Sequence, residues 1–410
     1  MGKTISYRMT MTACYIGNIV HASVINLTPI LFIPLKEQFG FSYSQLGLLI
    51  LINFITQVFV DILFSKVVDK YGFRRFIVAG NIICAVGFSL FALTPYLFIS
   101  NEFIGFVIAT IIFSGAGGLF ELLLSPIVDA IPSEEASKPM ALLHSFYAWG
   151  QIAVILITTL CIFLKINFSI IIAFWMLLPI FNTFLFMKVP LAVKHQGIAK
   201  MKIRKMIANP IFIIAFFAIA FGAASELVMG QWMSSFMEKG LLLPKLTGDM
   251  IALCGFAFML GMGRLIYGIF GDRFNINKVL IYGSMLAAVC YLIVALSPFA
   301  WLSVAACIIS GLCVSLLWPG TLVVASGKLP FAGAALFALL AAGGDIGASV
   351  GPWLTGIITD FSIRIAPETF LISGEQFGLR AGVLLAAVYP LFSMIFHISL
   401  RNKSNINQVE

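Results

Sequence analysis

Charge is scarce in this chain. Only 10% of its 410 residues are Asp, Glu, Lys or Arg, against roughly 25% in soluble domains. So little charge cannot cover a whole molecule with a water-compatible surface, which excludes a soluble globular enzyme. Metal-ligand spacing is lacking as well. The 7 cysteines are scattered through apolar segments, with no Cys-x-x-Cys pair and no Cys/His cluster. They read as small interior residues, and neither a metal nor a cofactor is expected. The chain has no His-Glu-x-x-His or Gly-x-Ser-x-Gly motif for hydrolysis and no Gly-x-x-x-x-Gly-Lys-Ser/Thr loop for ATP. These absences argue against an intramembrane hydrolase and an ATP-driven pump, and the chain is not expected to be an enzyme.

What is present is apolar. Hydrophobic residues make up 61% of the chain, and the mean hydropathy is +1.05. In lipid only helices and closed barrels satisfy their own backbone groups. The apolar runs here are continuous and do not alternate, which favours helices. Runs of about 20 residues give twelve expected spans: 11–33, 43–64, 75–95, 102–128, 139–163, 166–188, 209–236, 247–270, 276–297, 299–326, 332–360 and 376–400. The longest basic, polar connection lies between the sixth and seventh. The expected organisation is an all-α polytopic membrane protein with a six-helix bundle over 1–188, a linker over 189–208 and a second bundle over 209–410. The first apolar segment lacks a small-residue cleavage site, so it is taken as helix 1 and not as a removed signal.

The net charge of +8 follows a membrane pattern and does not point to nucleic acid. Of the 25 Lys and Arg residues, eighteen fall on the side that holds both chain ends, six fall on the other, and Arg264 lies inside a span. This asymmetry assigns both termini to the cytoplasm of a cell membrane, the cytoplasmic membrane in a bacterium.

The two halves echo each other. Asp69-Lys70-Tyr71-Gly72-Phe73-Arg74-Arg75 follows span 2, and Gly268-Ile269-Phe270-Gly271-Asp272-Arg273-Phe274 follows span 8. Each aspartate lies eight residues after a charged residue of its own span, Asp61 or Arg264. Ile131-Pro132 after span 4 is matched by Leu329-Pro330 after span 10. Repeated halves around a central loop are typical of transporters, with the solute site between the repeats.

The Asp-x-x-Gly-x-Arg-Arg loop, its echo and the 6+6 plan resemble the major facilitator superfamily, over nearly the whole chain. Ser65 stands where that family usually has its first Gly. The resemblance implies two pseudo-symmetric six-helix bundles and secondary transport by alternating access. It also implies a latch formed by Asp69, Gly72, Arg74, Arg75, Asp272 and Arg273. An Asp near a helix end can accept from backbone N–H groups and pair with Arg, which suits gating better than solute binding. More narrowly, Gly118-Leu119-Phe120-Glu121-Leu122-Leu123-Leu124-Ser125-Pro126 is similar to the helix 4 stretch of the fucose–proton symporter branch. That branch uses its helix 4 Glu in proton coupling, and Glu121 occupies the matching position. It also uses an Asp in helix 1, where this chain offers His21, Ser23 and Asn26 but no acid.

An ionisable side chain inside a span is costly and marks a candidate functional site. Four acids are taken as the candidates: Asp61, Glu121, Glu226 and Asp345. Gly117, Glu121 and Ser125 share one helical face, and the small neighbours are expected to leave room for solute or water beside the carboxylate. A carrier that takes up a proton before crossing and releases it afterwards needs such a group. His144, Tyr147 and Gln151 form a stripe on helix 5, with Tyr147 at the depth of Glu121. Glu226 lies between Gly222 and Gly230, an expected groove with one acid in it, and Gln231 and Trp232 follow. The resemblance places helices 1, 4, 7 and 10 around a cavity, which adds His21, Asn26 and Trp318 as solute contacts. Asp345 sits in a glycine-rich stretch of helix 11. Asn53, Gln57 and Asp61 make a polar stripe on helix 2, with Asp61 assigned to the latch. Arg264 needs an acid or carbonyl partner that the sequence does not name; it is assigned to gating, with an anionic solute as the other reading.

The function expected is proton-coupled uptake of a small polar solute, a sugar or another metabolite, by a monomer in a bilayer. The alternatives are efflux of drugs or metabolites by proton antiport, and an uncoupled facilitator. Exporters of the superfamily often carry Gly-x-x-x-Gly-Pro in helix 5. Here that pattern occurs in helix 11, at Gly347–Pro352.

Overall fold

The computed structural model describes residues 7–131, 137–191, 203–329, 332, 334–366 and 372–403. Every regular element among them is helical. In chain order these are α1 (Arg8–Ile30), α2 (Phe32–Phe39), α3 (Tyr43–Tyr71), α4 (Phe73–Leu97), α5 (Glu102–Asp129), α6 (Ser137–Phe163) and α7 (Phe168–Lys188). They continue with α8 (Ile203–Ile207), α9 (Pro210–Ser235), α10 (Lys245–Thr247), α11 (Cys254–Phe270), α12 (Ile276–Leu296), α13 (Ala300–Val314) and α14 (Pro319–Lys328). The last three are α15 (Ala334–Ile365), α16 (Gly374–Ala386) and α17 (Val388–Asn402). Two π-helical turns, Phe236–Gly240 and Gly248–Leu253, flank α10.

Eleven helical segments among the described residues are long and apolar enough to cross a membrane. A twelfth forms if α1 and α2, bent by 47° to each other, are one span. The bend follows Pro29, which lies in the last turn of α1. Proline offers no N–H and crowds the carbonyl four residues earlier, so the helix breaks there. Span 10 is interrupted without a comparable bend: within Ala300–Lys328, α13 stops at Val314 and α14 restarts with Pro319 at its first position. Span 2 runs past its expected end at residue 64, because a helix need not stop where the apolar run does. It stops at Gly72, whose φ of +85° is favourable only for glycine.

The chain divides into two compact units. One holds Met1–Phe41 and Leu48–His195; the other holds Gln196–Glu410 and also Ser42–Gly47, the start of α3. In the first unit α4 packs on α5 and α7, and α1 packs on α6, α5 and α7. Small residues set the spacing. A methyl group at Gly150 would stand 2.9 Å from the Ile19 Cα, and one at Gly87 would meet the Phe113 backbone.

In the second unit α15 lies against α9 and α16, and α12 packs on α13 and α17. Gly343, Gly347 and Gly351, spaced four apart on α15, face Phe216, Ala220 and Ala224 of α9. This stripe lets two backbones approach, as in small-x-x-x-small membrane packing. Gly347→Ala is therefore expected to force the helices apart, since its methyl would run into the Ala220 carbonyl; overpacking of this kind costs about 1–3 kcal/mol. Gly268→Ala on α11 meets nothing within 4 Å and is expected to be neutral or to stabilise by up to about 1 kcal/mol. Thermal melts of the two detergent-purified variants check the contrast.

Ser42–Gly47 is held firmly in the second unit. Ser42 and Gln45 form a reciprocal cap, Gln45 N–H to Ser42 Oγ at 3.2 Å and Ser42 N–H to Gln45 Oε1 at 2.9 Å. Asp360 on α15 accepts from the Tyr43 N–H at 3.1 Å, the Ser44 N–H at 2.6 Å and the Ser44 hydroxyl at 2.5 Å. The free N–H groups at the start of α3 are thereby satisfied, and the helix dipole favours the negative charge. Tyr43 also donates to Glu375 at 2.9 Å. Asp360→Ala leaves two backbone donors without their acceptor and is expected to destabilise the protein by about 1–3 kcal/mol. Ser44→Ala, which removes only the hydroxyl bond, is expected to cost less in the same melting assay.

Candidate functional site

In the first unit, polar side chains from α1, α3, α5 and α6 converge. His21 Nε2 donates to Gln57 Oε1 at 3.0 Å, Gln57 Nε2 donates to Asn53 Oδ1 at 2.7 Å, and Asn53 Nδ2 donates to the Val24 carbonyl at 2.8 Å. All three side chains are buried. The Tyr147 ring of α6 lies 5.8 Å from the His21 ring. Gln151, one turn on, is buried with its Oε1 unpartnered among the described residues.

Beside this chain, Asp61 of α3 and Glu121 of α5 bring carboxylate oxygens within 4.8 Å of each other. Asp61 Oδ1 is buried and has no hydrogen-bond partner among the described residues. The room expected next to Glu121 is differently used. A methyl group at Gly117 would stand 2.8 Å from Gln57 Oε1, and one at Gly118 would stand 2.9 Å from the Gln57 carbonyl. The glycines of α5 thus admit α3, and this approach carries Asp61 to Glu121. Asn26 donates to the Ala22 carbonyl of its own helix at 2.9 Å and is buried.

The second unit answers the question left by Arg264. Its Nη2 bonds both oxygens of Glu226, at 2.9 and 3.0 Å, and its Nε donates to the Ser315 carbonyl at 3.1 Å. Ser315 lies in the break between α13 and α14. The expected groove at Gly222 is filled, since a methyl group there would stand 2.9 Å from the Leu317 Cβ. Gln231 is buried, and neither end of its amide has a partner among the described residues. Trp232 is fully packed: its indole donates to the Pro352 carbonyl at 3.0 Å and its ring lies 5.7 Å from Tyr43. Trp318 is half-buried over Gly344, and Asp345 is buried on α15.

The loop motifs differ between the halves. Arg74 donates to the carbonyls of Phe186, Met187 and Val189, at 2.7, 3.0 and 2.6 Å, and so caps the end of α7. Arg75 is exposed. Arg273 is exposed and lies over the Phe270 ring at 5.5 Å. The side chains of Asp69, Asp272 and His144 lie outside the described residues.

The family model of the Major Facilitator Superfamily matches residues 14–352. The chain belongs to this superfamily. Its members are transporters of small molecules, in keeping with a multi-pass membrane protein. Among solved structures it is similar to a bacterial homolog of the human lysosomal transporter Spinster, with a TM-score of 0.76, 15% identity and coverage of 96% of both chains. It is similar to a D-xylose–proton symporter, with a TM-score of 0.77, 13% identity and coverage of 94% of this chain and 97% of that one. The fucose–proton symporter of E. coli matches with a TM-score of 0.62, 15% identity and coverage of 96% and 99%. At these identities the superfamily fold is what they share. A comparison with curated proteins found no match.

Two features of the site escaped sequence reading. Asp61, expected in the latch, lies beside Glu121. Asp360, at the end of its expected span, reinforces the Ser-x-x-Gln cap at 42–45, and that cap is the signal in the sequence that points to it.

Proposed function

We propose that this superfamily transporter takes up a small polar solute together with a proton, by alternating access, with Asp61 and Glu121 as the coupling pair. The observation that carries this reading is the approach of their carboxylates to within 4.8 Å inside membrane-spanning helices. Two like charges that close in a poorly solvated place repel strongly, and a proton taken up by either one removes the repulsion. The missing helix 1 acid is then supplied from helix 2. His21, Gln57, Tyr147 and Gln151 lie around or near the pair and offer neutral donors and acceptors for a solute, as Gln231 and Trp318 do in the second unit. Arg74 and Gly72 tie and turn the α3–α4 loop, which supports a role in gating, along with Asp69, Arg75, Asp272 and Arg273. The positive charge asymmetry supports a cytoplasmic placement of both termini.

The test begins with a solute found by its stabilisation of the purified protein. Proteoliposomes holding an inward proton gradient should accumulate it above the external concentration, and collapse of the gradient should return it to equality. Accumulation driven only by sodium would assign the pair to a different cation. Uptake that never exceeds equality under either gradient would make the protein a facilitator.

A further inference from the structure

We infer that the solute carries a single negative charge, a carboxylate, and that Arg264 is its seat. This rests on the transporter reading above and adds the chemical class of the cargo.

A buried ion pair is poor stabilisation. Apolar residues of the same volume do as well or better, since both charges must be stripped of water. Within a span the cost is higher still. Yet α11 carries Arg264 among apolar residues, paired to Glu226 of α9. The pairing is incomplete on the arginine side. Nη2 alone serves both carboxylate oxygens and Nε serves the Ser315 carbonyl, so the Nη1 donors have no acceptor among the described residues. The arginine side chain is also the more open of the two, 28% exposed against 11% for the glutamate side chain. An arginine fork with spare donors is suited to a planar oxyanion.

The surroundings agree. Ser315 belongs to the interruption between α13 and α14, and interrupted spans are where transporters place their binding sites. Leu317 and Trp318 of the same break stand against Gly222 and Gly344, which brings an apolar wall and an indole beside the charged pair. Among Lys and Arg, Arg264 is the one that lies more than five residues inside an expected span. One cation balances one carboxylate; a phosphate monoester, with about two negative charges, would leave one unbalanced.

The exchange balances in charge. A proton from water converts the Glu226 carboxylate to the neutral acid, its ion pair with Arg264 breaks, and the solute carboxylate takes the vacated guanidinium donors. On release the solute leaves as the anion; Glu226 keeps its proton until the empty carrier reopens on the loading side and returns it to the same water, so the original pair re-forms with no net proton carried at Glu226. Acids outnumber bases in the spans, which by count alone suits a neutral or cationic solute; Glu226, in protonated form, no longer counts against an anion.

The test is binding to the purified full-length protein at fixed pH, which needs no gradient and so is independent of coupling at Glu121. The probes are lactate, nicotinate and hexanoate, each beside its neutral amide, with glycerol 3-phosphate as the dianion. At least one acid should raise the melting temperature while its amide does not. Arg264→Lys should weaken that acid by about tenfold or more, and Arg264→Gln should abolish its effect. Glu226→Gln should tighten it, because the internal competitor is gone, and should flatten its dependence on pH. The double variant Glu226→Gln/Arg264→Gln removes both charges together and should melt as a folded protein that ignores every acid. The proposal is overturned if no acid stabilises the wild type, if acids and amides act alike, if the dianion outperforms every carboxylate, or if Arg264→Gln binds as the wild type does. A neutral-solute symporter would give that negative result while still accumulating solute under a proton gradient.

Discussion

Glu121→Gln is expected to abolish accumulation against a gradient while leaving exchange of internal for external solute. Glutamine keeps the shape of the side chain and its hydrogen-bonding oxygen but cannot take up and release a proton. With one proton per solute, each pH unit can support about tenfold accumulation. An inward gradient of about two units should then give the wild type up to about 100-fold, and the variant about onefold. Exchange persists because it needs only that the loaded carrier reorient. Asp61→Asn should lower accumulation as well, since the carboxylates lie within 4.8 Å and the charge on each bears on proton uptake by the other. Paired assays of net uptake and exchange on the same proteoliposomes separate a coupling defect from a folding defect, which would remove both. Full accumulation by Glu121→Gln would end the coupling role.

Removing one member of the Glu226–Arg264 pair is expected to be the most damaging change in the second unit. Glu226→Ala leaves the guanidinium without its carboxylate in an apolar span, and an orphaned buried charge costs about 3–5 kcal/mol. Arg264→Met orphans Glu226 instead. A carboxylate can discharge itself by binding a proton and a guanidinium cannot, so this variant should be the milder of the two and should recover stability as pH falls. The double change Glu226→Gln/Arg264→Met should lie close to the wild type, because a neutral pair of similar volume needs no desolvation. Melting curves of the three variants across pH test the ordering; a double variant as unstable as Glu226→Ala would show that the charges themselves hold the unit together.

The membrane-spanning helices were legible because hydropathy is a one-dimensional property. Scarce charge and continuous apolar runs specify spans without reference to any partner. Breaks were legible only in part: Pro29 and Pro319 are visible, but whether a proline bends a helix or interrupts it depends on what packs beside it. Contacts across helices were the harder class. Gly117 and Gly222 look the same in sequence as glycines that line a cavity, and only the neighbours, Gln57 and Leu317, show that they admit another helix. The same approach sets Asp61 beside Glu121. Arg264 was recognisable as a residue in need of a partner, yet nothing local ties it to Glu226, which lies on a different helix.

The most direct measurement of the central claim follows proton movement itself. Proteoliposomes with a pH-sensitive dye inside, no imposed gradient and no membrane potential, are given solute on the outside. If solute and proton enter together, the lumen acidifies as the solute runs in, and the signal vanishes in Glu121→Gln. Entry of solute with an unchanged lumenal pH, or with a rise in it, would contradict the account.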